Sequence, residues 1–221
     1  MYYVKYRSRF TGERCVAVVT GLQEPSENEK TGPMAQLWFL KALVSPCEPH
    51  SAVCGNCPLQ GGEGCYVRRE QAPLTVWRTY RKGGYMALPR RAISIERSLR
   101  LGAFGDPASM PTKDFQDMMG RFGAIDTTGY THAWQRRDVE HLKGVVLAST
   151  DETMNDLALA KGWSTFCVVH PDSTTYDKRK LCANERTGVQ CCRCLRCKPK
   201  PGKPRTIYIT AHGARWRKVF F

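Results

Sequence analysis

Eleven cysteines in 221 residues constrain this chain more than any other feature. Eight of them form two groups of four. Cys47, Cys54, Cys57 and Cys65 are spaced C-x6-C-x2-C-x7-C, and Cys182, Cys191, Cys194 and Cys197 are spaced C-x8-C-x2-C-x2-C. A C-x2-C pair lets two thiolates turn onto one metal centre. Gly55 permits the tight turn between them, and Gly61, Gly62 and Gly64 keep the loop small enough to wrap a cluster. Three thiolates at the interval of the second group cup one face of an iron–sulfur cluster, and the fourth closes it. Cys192 interrupts that register and can substitute for Cys191. Zinc also accepts four thiolates, so both metals stay open, with the consecutive C-x2-C steps favouring iron–sulfur. Cys15 and Cys167 lie in apolar runs and read as buried small hydrophobes.

The start of the chain, MYYVKYRSRF, lacks the apolar stretch of a signal peptide, and no run approaches the span of a membrane helix. These features predict a cytoplasmic chain without membrane contact. In that compartment disulfides are rare, and clustered thiols bind metal or carry redox chemistry. Charge is uneven. Residues 178–221 hold 13 basic residues and one acid, a net +12, whereas residues 1–177 hold 21 basic and 19 acidic residues, a net +2. A nearly neutral body with a basic tail suggests a polyanion partner, nucleic acid first. Arg205, Arg215, Trp216, Arg217 and Lys218 combine charge with a ring able to stack on a base. The same residues also suit a solvated tail whose aromatics pack onto the body.

Composition shifts and breakers divide the chain into three parts. Residues 1–35 read as a short strand region and a polar loop. Residues 36–177 form the core with the first cysteine loop (47–65), and residues 178–221 form a basic, cysteine-rich, metal-binding segment with a final strand. Strands are predicted over 36–42, 98–104, 124–130, 144–149, 164–169 and 205–210. Helices are predicted over 72–82, 111–121, 133–142 and 151–161, with Asp151 as an N-cap. Alternation of this kind predicts an α/β fold with parallel pairing. In such folds ligands gather at the C-terminal ends of strands, which selects Asp106, Thr128, Tyr130, His132, Ser149, Asp151 and His170 as candidates. Asp106, between Gly105 and Pro107, can accept hydrogen bonds from a ligand or simply close a turn. His132 can transfer a proton or sit in a surface loop.

Strand 36–42 leads into a cysteine loop, then helix 72–82, then five further strands. That order resembles the radical S-adenosylmethionine (SAM) superfamily, whose partial (βα)6 barrel holds a [4Fe–4S] cluster in the loop after its first strand. Lys30-Thr-Gly-Pro-Met34, Ser51-Ala-Val-Cys-Gly-Asn-Cys57, Cys65-Tyr-Val67 and Leu101-Gly-Ala-Phe-Gly-Asp-Pro107 are similar to a group of small bacteriophage proteins that look like such barrels, over residues 30–213. The loop spacing here is C-x2-C-x7-C, where the superfamily's usual loop is C-x3-C-x2-C. The resemblance implies a partial (βα)6 barrel in a bacterial cytoplasm, with one or two [4Fe–4S] clusters. Cys54, Cys57 and Cys65 would hold the reactive cluster and SAM would complete it, with Gly105 and Asp106 near the cofactor. Cys47 is then either a fourth ligand or a neighbour of the cluster. Cys182, Cys191, Cys194 and Cys197 would hold a second cluster. Redox or radical chemistry on nucleic acid or a nucleotide follows from the same resemblance. The rival from a different class is a non-enzymatic nucleic-acid-binding protein with two structural zinc sites, each of four cysteines.

Overall fold

The computed structural model describes residues 1–60, 64–124, 126–200, 202–212 and 217. The chain opens with a hairpin, β1 (Tyr2–Arg7) and β2 (Arg14–Thr20). β2 is buried at five consecutive positions, Cys15 to Val19, because it lies between two partners. It pairs antiparallel with β1 on one side and with β3 (Ala35–Lys41) on the other. After β3 come a short helix α1 (Ser51–Cys54) and a longer one, α2 (Ala72–Arg81). Pro73 occupies the first turn of α2, where its missing N–H has no partner to lose. The two-residue strand β4 (Met86–Ala87) then adds to the outer edge of β1. β5 (Ile93–Ile95) stands apart from the main sheet.

From there strands run parallel. β6 (Leu99–Phe104) pairs with β3, and α3 (Thr112–Arg121) leads to β7 (Phe122–Ala124), which pairs with β5 in a separate two-stranded sheet. β8 (Thr127–Thr131) pairs with β6, and β9 (Leu147–Asp151) with β8. After α4 (Asn155–Ala160), β10 (Thr165–Val169) pairs with β9. Two short helices, α5 (Ala183–Thr187) and α6 (Cys191–Cys194), precede β11 (Thr206–Thr210), which pairs with β10. The nine-stranded sheet has the order β11-β10-β9-β8-β6-β3-β2-β1-β4. Six neighbouring strands from β3 to β11 are parallel and stand in chain order. The fold is therefore mixed α/β with a large, mostly parallel sheet. Its hydrogen-bonded edges among the described residues are β11 and β4, so the ladder does not close on itself.

Several elements depart from the sequence expectation. The N-terminal strand region is a full hairpin continuous with the main sheet. The helix expected over 133–142 is a 3₁₀ stretch over Arg137–Leu142. The strand expected over 124–130 splits into β7 and β8, which enter different sheets. α4 starts at Asn155 and not at Asp151. Asp151 Oδ1 instead accepts from Met154 N–H at 3.0 Å and Thr153 Oγ at 2.7 Å, closing the turn before the helix.

Glycine makes the close strand approaches possible. A Cβ on Gly129 in β8 would lie 2.7 Å from the Leu101 carbonyl oxygen of β6. That explains a glycine inside a buried strand. On the helical face, Asn155 Oδ1 of α4 accepts from Thr165 Oγ at 2.6 Å and Thr206 Oγ at 3.2 Å. One amide oxygen thereby ties α4 to β10 and β11, and it satisfies hydroxyls that would be costly to bury alone.

Candidate metal centre

α1 carries the first cysteine group, and three contacts fix it. Val53 O accepts from Asp106 N–H at 2.7 Å, so the end of β6 grips the helix backbone. Ser8 Oγ, in the β1–β2 turn, donates to Ala52 O at 2.5 Å. Phe10 of the same turn lies under Gly55, where a Cβ would meet its ring at 3.1 Å. Arg9 holds the turn itself, donating to Ala108 O (3.2 Å), Met110 O (3.1 Å), Thr112 Oγ (2.8 Å) and Asp138 O (2.8 Å). Ala52 and Val53 are fully buried. Gly55, with φ of +56°, lets the chain turn back at once. Cys57 N–H then donates to Cys54 O at 3.1 Å, and Cys65 N–H to Leu59 O at 2.9 Å.

This backbone brings Cys54, Cys57 and Cys65 to one cavity. Burial pushes the Cys54 thiol well above its ordinary pKa, and the neighbouring Cys57, Asp106 and Cys65 add to the effect. Burial likewise pushes Cys57 to about 12, opposed by backbone hydrogen bonding from Leu59 and Gln60 to its sulfur, with Cys65 and Asp106 raising it further. Cys47 is exposed on the preceding loop and is not in the lining of this cavity. The structure thus groups three of the four predicted sulfurs and leaves Cys47 outside. Gly61 and Gly62, assigned to keep this loop small, lie outside the described residues.

The second group lies against β11 and the loop before β3. Cys182 N–H donates to Tyr208 O of β11 at 2.7 Å, and its side chain packs with Leu147, Ile207 and Ile209. α6 docks on the loop before β3, with Cys191 N–H donating to Lys30 O (3.0 Å) and Cys192 N–H to Thr31 O (3.1 Å). Burial pushes Cys197 to about 12. Hydrogen bonding with Tyr130 works against that, while Cys182, Cys191 and Cys194 raise it further. Cys191 is raised by burial first and then by Cys182, with Lys30 and Arg100 opposing and Cys194 adding to the rise. All four predicted sulfurs are therefore neighbours. Cys192 faces elsewhere, with its sulfur over Gly32 and 4.0 Å from Gln190 Oε1. Cys15 and Cys167 are fully buried inside strands.

Among the described residues no three His, Cys, Asp or Glu side chains already stand at metal-ligand spacing. The donor sets nonetheless suit a thiophilic centre. Each brings partly or fully buried cysteines near one another, where thiolate forms repel and a bound cation would relieve that repulsion. An iron–sulfur cluster or zinc fits both sets by donor type.

Gly105 and Asp106 sit at the C-terminal end of β6. Gly105 has φ of +76°, and a Cβ there would lie 2.6 Å from Phe39 O, so β6 meets the end of β3 only because this residue is glycine. Asp106 is buried and both its oxygens are used. Oδ1 accepts from Ala108 N–H at 2.9 Å and Oδ2 from His132 N–H at 2.7 Å. Burial raises its pKa. Burial holds the His132 ring neutral, and its buried Nε2 has no partner among the described residues. Both residues line the cavity that the first three cysteines enter.

That cavity has a volume of about 370 Å³. Side chains from β6, β8, β9, β10 and β11 line it, and Cys191 reaches it from the second group. Thr128, Tyr130 and Ser149, selected from the sequence at strand ends, line it too, whereas Arg100 was not selected and Tyr66 had no role assigned. Arg100 Nη2 donates to Tyr66 Oη at 2.7 Å. A second cleft of about 730 Å³ shares Cys54, Cys57 and His132 with the cavity, and Trp134 and Asp151 also line it.

In the basic tail, Arg205 is engaged internally, donating to Arg196 O (2.7 Å) and Lys198 O (3.1 Å). This holds the second cysteine segment against β11. Arg217 is exposed, and Arg215, Trp216 and Lys218 lie outside the described residues. No described helix is long and apolar enough to cross a membrane. Comparison with models of known families, with curated proteins and with solved structures finds no match for this chain.

Proposed function

We propose that this chain is an iron–sulfur protein resembling radical SAM enzymes, with its six parallel strands curled into a partial (βα)6 barrel. The observation that carries the reading is the convergence of three thiols, Cys54, Cys57 and Cys65, on one cavity at the C-terminal end of the strands, with Cys47 left outside. Three thiolates on a four-iron cluster leave one iron free for an exogenous ligand, whereas four close the site. The chain-order strands and a cavity lined from β6 through β11 support the curl.

In this reading Cys54, Cys57 and Cys65 would hold a [4Fe–4S] cluster with SAM as its further ligand. Such a cluster supplies one-electron chemistry. The chain's own residues do the rest. Asp106 fixes the backbone of both α1 and His132 through its N–H and Oδ2. His132 offers a neutral Nε2 for a hydrogen bond or a proton. The second cleft admits the substrate. Cys182, Cys191, Cys194 and Cys197 hold a second, closed centre, an iron–sulfur cluster or zinc. The basic C-terminal segment brings in nucleic acid, through Arg217 and the neighbouring Arg215, Trp216 and Lys218. A bacterial cytoplasm, reducing toward thiols, suits these centres.

The test is anaerobic purification with iron, sulfide and zinc counted. Brown protein absorbing broadly near ~400 nm is expected, from thiolate-to-iron charge transfer. Cys47→Ala should keep the iron and SAM cleavage, and Cys54→Ala should lose the cleavage. Colourless protein with two zinc ions per chain would instead support the non-enzymatic zinc reading. A steep fall of DNA or RNA binding with salt is expected of the tail, and a flat dependence would remove nucleic acid as the partner.

A further inference from the structure

The cavity between the two cysteine groups carries a charge pattern that neither group explains. Arg100, the second residue of β6, faces into it. Its guanidinium has five donors, and the hydrogen bond it makes among the described residues runs to Tyr66 Oη. No carboxylate pairs with it among the described residues. Lys30 also lines the cavity. The one acid in the described lining is Asp106, whose oxygens are already taken by Ala108 and His132 backbone N–H groups. The walls beyond these groups are largely apolar, with Tyr130 and Phe166 stacked at 4.2 Å between ring centroids.

A planar fork with donors to spare, set in an apolar cavity, matches an oxyanion. We infer that Arg100, with Tyr66 beside it, is a specificity-determining anchor for a substrate carrying a phosphate or carboxylate group on an apolar or aromatic body. The inference rests on the reading of this cavity as the reaction chamber. Tyr66 orients the fork, and Lys30 lies in the same lining to balance a second negative charge. The apolar walls take the ligand's body, as in other enclosed sites with few convergent polar groups.

Binding is measured by calorimetry on anaerobically purified protein with two pairs of probes. The first pair is adenosine 5′-monophosphate against adenosine, and the second is 3-phenylpropionate against 3-phenylpropanol. In at least one pair the anion should bind about tenfold or more tightly than its neutral partner, the strength of a charge-assisted bidentate contact. A preference in the first pair identifies a phosphate, and one in the second a carboxylate. Arg100→Gln should abolish the preference, and Arg100→Lys should keep part of it while preserving the fold. Iron content must stay at the wild-type level in both variants. Equal binding within both pairs, no binding at all, or a preference that survives Arg100→Gln overturns the inference. Loss of iron in Arg100→Gln also overturns it, because the guanidinium then serves the metal centre. SAM cleavage and metal counts, read separately, report on the proposed function itself.

Discussion

The two cysteine groups look alike in sequence, yet the fold treats them differently. The first rides on a helix whose Ala52 and Val53 are fully buried and whose backbone is held by Ser8 and Asp106. Its geometry comes from the body of the protein, and the proposed centre needs only three sulfurs. The second sits in a segment with almost no core of its own. Between residues 178 and 204 only Cys182 and Pro199 are buried among those described. Cys182 and Cys197 pack on Leu147, Ile207 and Ile209 of the neighbouring strands. A preformed site can leave a coordination position open for chemistry, whereas a site that must build its own segment uses every ligand it has.

The largest effect expected from this contrast is on metal removal. Structural thiolate centres contribute on the order of 10 kcal/mol to the segments that they organise. Chelation should therefore release residues 178–204 to protease while β3 to β10 stay protected, as read by hydrogen exchange. Equal loosening of both cysteine regions would break the comparison.

Gly105→Ala attacks the first group alone. The added Cβ meets the Phe39 carbonyl at 2.6 Å with φ at +76°, and backbone on both sides cannot yield cheaply. A destabilisation of about 2–4 kcal/mol is expected from strain and overpacking. Denaturant midpoints measure it, and the metal content of the second group, iron or zinc, should be unchanged.

Alkaline pH acts on both groups in the metal-free protein. Cys57 and Cys197 are pushed up to about 12, so the folded state keeps protons that the unfolded chain releases. Their contribution is complete below the ordinary thiol pKa. It is lost as pH rises from there toward 12, at about 1.4 kcal/mol per pH unit for each thiol. Denaturant midpoints between about pH 8.5 and 10.5 should fall with that slope. Buried Cys15 and Cys167, also near 12, contribute alike. Bound metal removes the share of Cys57 and Cys197 and should flatten the curve. An equal slope with and without metal would mean that these sulfurs are not ligands.

Much of this contrast was legible in the sequence, and the physical reasons for the rest are specific. Thiol spacing marked both groups because the turns that bring nearby cysteines together are local. It could not separate Cys47 from its three partners, since that depends on where α1 docks. Gly105-Asp106-Pro107 stood out as a strand end, but the hold of Asp106 on His132 and on Val53 of α1 joins residues far apart in the chain. The apolar parallel strands read well. The β1–β2 hairpin was only half visible because β1 mixes polar and aromatic residues near a sheet margin. The segment 133–142 has helical letters, yet Trp134 and Val139 are buried from a path that is 3₁₀ only in its second half. Arg100 carried no motif and Tyr66 was noted only within Cys65-Tyr-Val67, as an anchor in a cavity is defined by neighbours distant in the chain.

The smallest expected effect concerns how the first group is held. Ser8 Oγ donates to Ala52 O and accepts from Phe10 N–H at 3.0 Å, so one hydroxyl joins the hairpin turn to α1. α6 docks instead through backbone pairs to Lys30 and Thr31. Ser8→Ala leaves a buried carbonyl unpaired at a cost of about 1–2 kcal/mol. Its effect should be local. Iron at the first group should be released faster to a chelator, while release from the second group keeps its wild-type rate. Equal acceleration at both groups would show that the hairpin supports the whole cavity and not α1 alone, and the division between a preformed and a self-built site would then be too sharp.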